Sequence, residues 1–130
     1  MPMRIGGKVG AVSGDPLDVY CDVRALHPAM MMSGLAGTNT PLGDCALLEI
    51  QGVEVVLTSV RCQGLDLDLF TQLGCDPASK CIVVVKSSQH FYASFSKMAS
   101  KVIYVDSPGA LCTDLSLLSY RKIQLPKWPL

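Results

Sequence analysis

The step Gln51-Gly52 joins two apolar runs, CALLEI (45–50) and VEVVLTS (53–59), and constrains this chain more than any other feature of its sequence. Glycine supplies the positive φ that a tight reversal needs, and the flanking apolar, β-branched residues read as strands. The pattern predicts a β-hairpin over residues 45–59.

From Val53 onward the rhythm changes. The strand VEVVLTS leads to LDLFTQLG (67–74), a short helix stopped by glycine, and then to the strand CIVVVK (81–86). SQHFYASFSKMAS (88–100) reads as a second helix and VIYVD (102–106) as a further strand. Strand–helix–strand–helix–strand predicts parallel pairing through right-handed crossovers. The unbroken runs VEVVL, CIVVV and VIYV suit strands covered on both faces. The expected fold class is therefore α/β: a mixed sheet with an antiparallel N-terminal hairpin and a parallel strand–helix–strand–helix–strand unit. Upstream, LDVYCDVRAL (17–26) alternates as one strand, with Leu17, Val19, Cys21 and Val23 on one side. AMMMSGLAGTNTPLG (29–43) reads as a long loop whose three methionines pack locally rather than bind a soft metal. No internal repeat is visible, and 130 residues make a single domain over 1–130.

Composition narrows the function. Eleven Lys and Arg balance eleven Asp and Glu, which argues against a general nucleic-acid or anionic-membrane surface. No apolar run approaches the roughly 18 residues of a membrane span, and MPMRIGGKVG lacks the apolar core of a secretion signal, so the expected location is cytoplasmic. The six cysteines (21, 45, 62, 75, 81 and 112) are then expected to stay reduced. None is spaced CxxC and the chain has two histidines, His27 and His90, so the cysteines read as small buried apolar residues. Zero net charge with a mean hydropathy of +0.35 favours association, with a companion or as a homo-oligomer.

The stretch VVVKSSQHFYASF (83–95) carries the candidate site. On a helical wheel of residues 89–99, Phe91, Phe95 and Met98 form the core-facing stripe, whereas His90, Ser94 and Lys97 point away. Ser87 or Ser88 can cap this helix, placing the positive end of its dipole beside Lys86 as an anion or carboxylate site. Loops that follow parallel strands share one edge of the sheet. That edge would gather TSVRCQG (58–64), KSSQH (86–90) and DSPGA (106–110), with Thr58, Ser59, Arg61, Gln63, Lys86, His90 and Asp106 on the same side. The plainer alternative is a strand end, a cap without a ligand, and Arg61 paired with Asp66 or Asp68. Asp106 is more simply a turn former. No nucleophile elbow, HExxH or glycine-rich phosphate loop occurs, so a complete active site is absent from the sequence.

IGGK (5–8), SGDPL (13–17), LTSVRCQ (57–63), LGCDP (73–77), VVVKSSQHF (83–91), VDSPG (105–109) and the tail YRK…LPKWPL (120–130) occur in this order. Together they resemble the C-terminal domain of the microcystinase C (MlrC) family of bacterial metallopeptidases, over essentially the whole chain. KSSQHF and the tryptophan–proline–leucine end are the most specific elements. The resemblance implies a larger N-terminal part that holds the zinc ligands and the catalytic acid and hydrolyses small or linearised peptides. None of those positions exists in this chain, so no catalytic or metal-binding residue carries over, and zinc is expected in the companion part. Lys86, Ser87, His90 and Phe91, with Ser59, Arg61 and Gln63, carry over as substrate or interface residues near the domain boundary.

Tyr92 stands where an arginine is common, Gln124-Leu125-Pro126 replaces an arginine–proline, and the chain stops at Leu130 where an aspartate often follows. These departures read as a fragment or a separately encoded domain. The expected function is thus a C-terminal accessory domain of an MlrC-like zinc metallopeptidase, inactive alone, that lends polar cleft or interface residues but no metal site. The alternative is a non-enzymatic α/β module that binds a small anion or a partner protein.

Overall fold

The computed structural model describes residues 1–10, 14–106, 114 and 121–122. The chain divides into two compact units, Met1–Arg4 with Asp18–Val102, and Ile5–Leu17 with Ile103–Leu130. The three-stranded sheet, the core and the six candidate site residues all belong to the first.

The hairpin forms where Gln51-Gly52 demanded it. Strands β1 (Pro2–Ile5) and β2 (Leu17–Tyr20) make a two-stranded sheet; β3 (Asp22–Ser33), β4 (Asn39–Ile50) and β5 (Val53–Thr58) make a three-stranded one in the order β3-β4-β5. β4 and β5 pair antiparallel from Ile50↔Val53 to Cys45↔Thr58. Gln51 and Gly52 both have positive φ, 51° and 84°, as a two-residue turn matched to the strand twist requires.

Two expectations upstream need correction. Leu17–Leu26 is not one strand: it breaks at Cys21, which is buried and exchanges backbone hydrogen bonds with Met1. Residues 29–43 are not a long loop, because β3 runs to Ser33 and β4 begins at Asn39. The glycines and Pro41 mislead here. Pro41 pairs with Met31, beyond the Cys45–Ile50 stretch that β5 flanks, so its missing N–H leaves no β5 acceptor unmet. The methionines do not pack merely locally: Met30 and Met32 are fully buried in the main core with residues as distant as Leu73 and Cys75, and Met31 faces out.

Strand alternation places Cys45 and Leu47 on the face that holds the main core. Met30, Met32, Leu42, Cys45, Leu47, Leu73 and Cys75 form that core, flanked by Ala25, Val56, Cys62, Leu65, Leu69 and Phe70. Leu48 is fully buried on the opposite face. Over the core lie two single-turn helices, α1 (Asp68–Thr71) and α2 (Tyr92–Phe95), tied by an edge-to-face contact of Phe70 with Phe95 at 6.1 Å. α1 ends in turns through Gly74, as LDLFTQLG predicts.

The parallel unit is overturned. Residues 82–86 and 102–106 take no regular secondary structure and join no ladder among the described residues, and the helix expected over 88–100 shortens to α2 with flanking turns. A parallel strand needs cover on both faces. Here Ile82 and Val84 are 81% and 80% exposed, while Val83 and Val85 are half-buried, so one side alone is covered. The architecture is mostly antiparallel sheet with small helices. The DSPGA loop beyond Asp106 and the chain's end beyond Lys122 lie outside the described residues.

Leu47→Ala is expected to cost about 2–5 kcal/mol of unfolding free energy, since it empties a site in the middle of the core. Gly52→Ala forces a β-carbon into the left-handed region and is expected to cost about 1–2 kcal/mol. Urea unfolding monitored by circular dichroism measures both.

Candidate functional site

The polar residues near Lys86 sit on a seam where residues 62–65 lie against 85–87. Gly64 is buried and its N–H donates to the Lys86 carbonyl at 3.3 Å. A β-carbon at Gly64 would come within 2.6 Å of Val85 Cγ1, so this close approach requires glycine. Alongside, Ser87 Oγ donates to Gln63 Oε1 at 3.0 Å. The structure therefore brings together Gln63, Lys86 and Ser87.

It does not gather the rest as the parallel edge would have. Ser59 lies at the end of the hairpin, where its hydroxyl accepts from the Asp44 N–H at 2.7 Å, and Asp44 Oδ1 in turn accepts from the Ala29 N–H at 3.0 Å. That fixes the irregular step in β3 between His27 and Met30. Thr58 bonds the Val60 carbonyl. Arg61, Lys86 and His90 are exposed and make no ion pair among the described residues.

The helix cap is absent. α2 starts at Tyr92, Phe91 before it is already helical, and no side chain caps it. Ser87 is bonded to Gln63 instead, so a helix dipole beside Lys86 does not contribute to anion binding. Phe95 is buried, and Phe91 and Met98 are half-buried on the expected stripe. Ser94 does not point to solvent: its Oγ donates to Asp66 Oδ2 at 2.8 Å and accepts from the Leu67 N–H at 3.4 Å.

Sequence reasoning missed the acids at the start of α1. Asp66 holds Ser94 and also accepts the Asp68 N–H, and Asp68 Oδ2 accepts the Ser33 N–H and Oγ, both at 2.8 Å. Neither acid pairs with Arg61. Asp68 Oδ1 is buried without a hydrogen-bond partner. Acids before a short helix are a readable signal of capping, but their long-range partners, Ser33 and Ser94, are set by the fold.

A second missed cluster joins β5 to the loop after α1. Lys80 Nζ lies 2.5 Å from Glu54 Oε2, which also accepts from Cys75 Sγ at 3.1 Å. The Lys80 ammonium, and secondarily the Cys75 thiol, hold the Glu54 carboxyl below its usual range. Burial, reinforced by the Glu54 carboxylate, pushes the Cys75 thiol up to about 11. Cys75 is therefore a protonated packing residue at neutral pH. The five described cysteines are all free thiols, and Cys81 alone among them is exposed.

No three His, Cys, Asp or Glu side chains converge as a metal site would require, among the described residues. A shallow groove of about 360 Å³ lies along β1 and β2, but its two charges, Arg4 and Asp18, pair bidentately with each other at 2.6 Å. No helix among the described residues is long and apolar enough to cross a membrane.

These features define a small antiparallel-sheet domain with a polar seam and no metal site among its described residues. Comparison with known proteins gives its family. Residues 1–122 match the model for the MlrC C-terminus. The chain is 36% identical to microcystinase C of a Sphingomonas species over 127 residues, which is 98% of this chain and 24% of that protein. It also matches the crystal structure of a candidate metallopeptidase from Mesorhizobium sp. BNC1, with a TM-score of 0.70 and 31% identity over 84% of this chain and 23% of that one. The chain belongs to the MlrC C-terminal domain family, a domain of metallopeptidases, and spans about a quarter of the relatives it matches.

Two outcomes test this site description. Cys75 binds its proton more tightly folded than unfolded, where it ionises near 9.0. Its contribution to stability is thus full below pH 9 and lost as pH rises toward 11, and Cys75→Ala should flatten unfolding midpoints measured across that window. At pH 8, an alkylating reagent should modify Cys81 first and leave Cys75 and Cys45 unmodified until the chain unfolds, as read by peptide mass spectrometry.

Proposed function

We propose that this chain is the accessory C-terminal domain of an MlrC-type zinc metallopeptidase acting on small or linearised peptides. The metal and the catalytic acid belong to the remaining three quarters of the family polypeptide. The observation that carries this reading is the 36% identity to microcystinase C across 98% of the chain, on a domain whose described residues converge on no metal site. In this reading the whole chain acts as one domain of a cytoplasmic enzyme. The seam of Gln63, Lys86 and Ser87 faces the companion part, and Lys86 holds a substrate or product carboxylate by a charge-assisted hydrogen bond. Arg61 and His90, which the fold does not gather with that seam, contribute as exposed polar residues at the interface with the companion part. Ser59 supports the hairpin end from which Arg61 projects.

The test combines the purified chain with the N-terminal part of microcystinase C and measures bound zinc and hydrolysis of linear peptides. Zinc and activity are expected in the mixture and not in this chain alone; stoichiometric zinc in this chain alone overturns the reading. In the active mixture, Lys86→Ala is expected to raise KM about tenfold with little change in association, matching the loss of one charge-assisted contact. A variant that weakens association alone makes Lys86 a docking residue.

A further inference from the structure

The segment Ile82–Val85 has the composition of a strand and its alternating exposure, but no ladder partner among the described residues. Ile82, Val83, Val84 and Val85 are four consecutive β-branched residues, the kind that pleated surfaces favour. Their inner side is held. Val83 and Val85 are half-buried, Val85 rests over Gly64, the Lys86 carbonyl accepts from Gly64, and Ser87 is bonded to Gln63. Their outer side is bare: Ile82 and Val84 stand 81% and 80% exposed, and no ladder runs along the segment among the described residues. Proteins blunt such open edges with charge, proline or bulges. Here Lys80, paired with Glu54, and Lys86 bracket the segment, and the stretch between them carries neither charge nor proline.

We propose that Ile82–Val85 is a docking strand onto which the catalytic part of the family polypeptide adds a strand, burying Ile82 and Val84. This rests on the reading of the chain as an accessory domain. The occupant follows from length and continuity. Microcystinase C and the Mesorhizobium protein carry this domain as 24% and 23% of their chains, so a body three times its size accompanies it in both. The apolar run also leads directly into Lys86 and Ser87, so an occupant of Ile82–Val85 brings the polar seam to its own rim. Strand addition supplies backbone hydrogen bonds for affinity and alternate side-chain pockets for Ile82 and Val84.

Hydrogen exchange and binding measurements on this chain with the N-terminal part of microcystinase C test the proposal. The amides of residues 82–86 should exchange fast in the chain alone and become protected in the mixture. The double variant Ile82→Thr/Val84→Thr, which keeps strand propensity but removes apolar surface, should bind at least about tenfold more weakly. Circular dichroism of that variant should match the unaltered chain. Wild-type binding with protection elsewhere and none at 82–86 overturns the docking strand while leaving the accessory-domain reading intact. Protection of 82–86 that grows with the concentration of this chain alone assigns the strand to a second copy and overturns the named occupant. Absence of both binding and activity in the wild-type mixture overturns the accessory-domain reading and the docking strand together.

Discussion

Strand β4 is hydrogen-bonded on both sides, to β3 and to β5, and it buries Leu47 and Leu48 on opposite faces. Everything else in the first unit is placed relative to it. The turn at Gln51-Gly52 sets the β5 register, and that register puts Glu54 opposite Glu49 and Thr58 opposite Cys45. Because side chains alternate across a strand, a slip of one residue would carry Glu54 away from the face where Cys75 and Lys80 meet it. Arg24 pairs with Glu49 on the neighbouring strand, so the two facing carboxylates each have a cation of their own.

The polar bonds that hold the helical layer on this sheet are few and long-range. Asp68 reaches Ser33 at the end of β3, and Asp66 reaches Ser94 in α2. Together with Phe70 against Phe95, they connect the end of β3 to two segments that have too few residues to be stable helices alone. The seam at Gly64 is the same kind of device. A residue without a side chain lets a neighbouring segment approach, and one serine–glutamine bond fixes its end. What results is an apolar underside with Lys86, Arg61 and His90 left in solvent.

The chain spans about a quarter of the relatives it matches. Its large exposed apolar side chains include Ile82 and Val84 in one segment and Ile103 and Val105 in another.

The hairpin over 45–59, the glycine stop at Gly74 and the apolar stripe of Phe91, Phe95 and Met98 were legible from sequence, because each depends on neighbours within one turn or one strand. The family was legible too, from ordered motifs spread along the chain. The partners of Ser59, Ser87 and Ser94 were not: each bonds a residue 15 to 28 positions away, and serine has no local pattern that names such a partner. Nor was the fate of CIVVVK and VIYVD. A β-branched apolar run favours a backbone in strand conformation by its own sterics. Whether that backbone joins a ladder depends on an adjacent strand and on cover for both faces, and only the tertiary structure shows that in Ile82–Lys86 the inner face alone is covered.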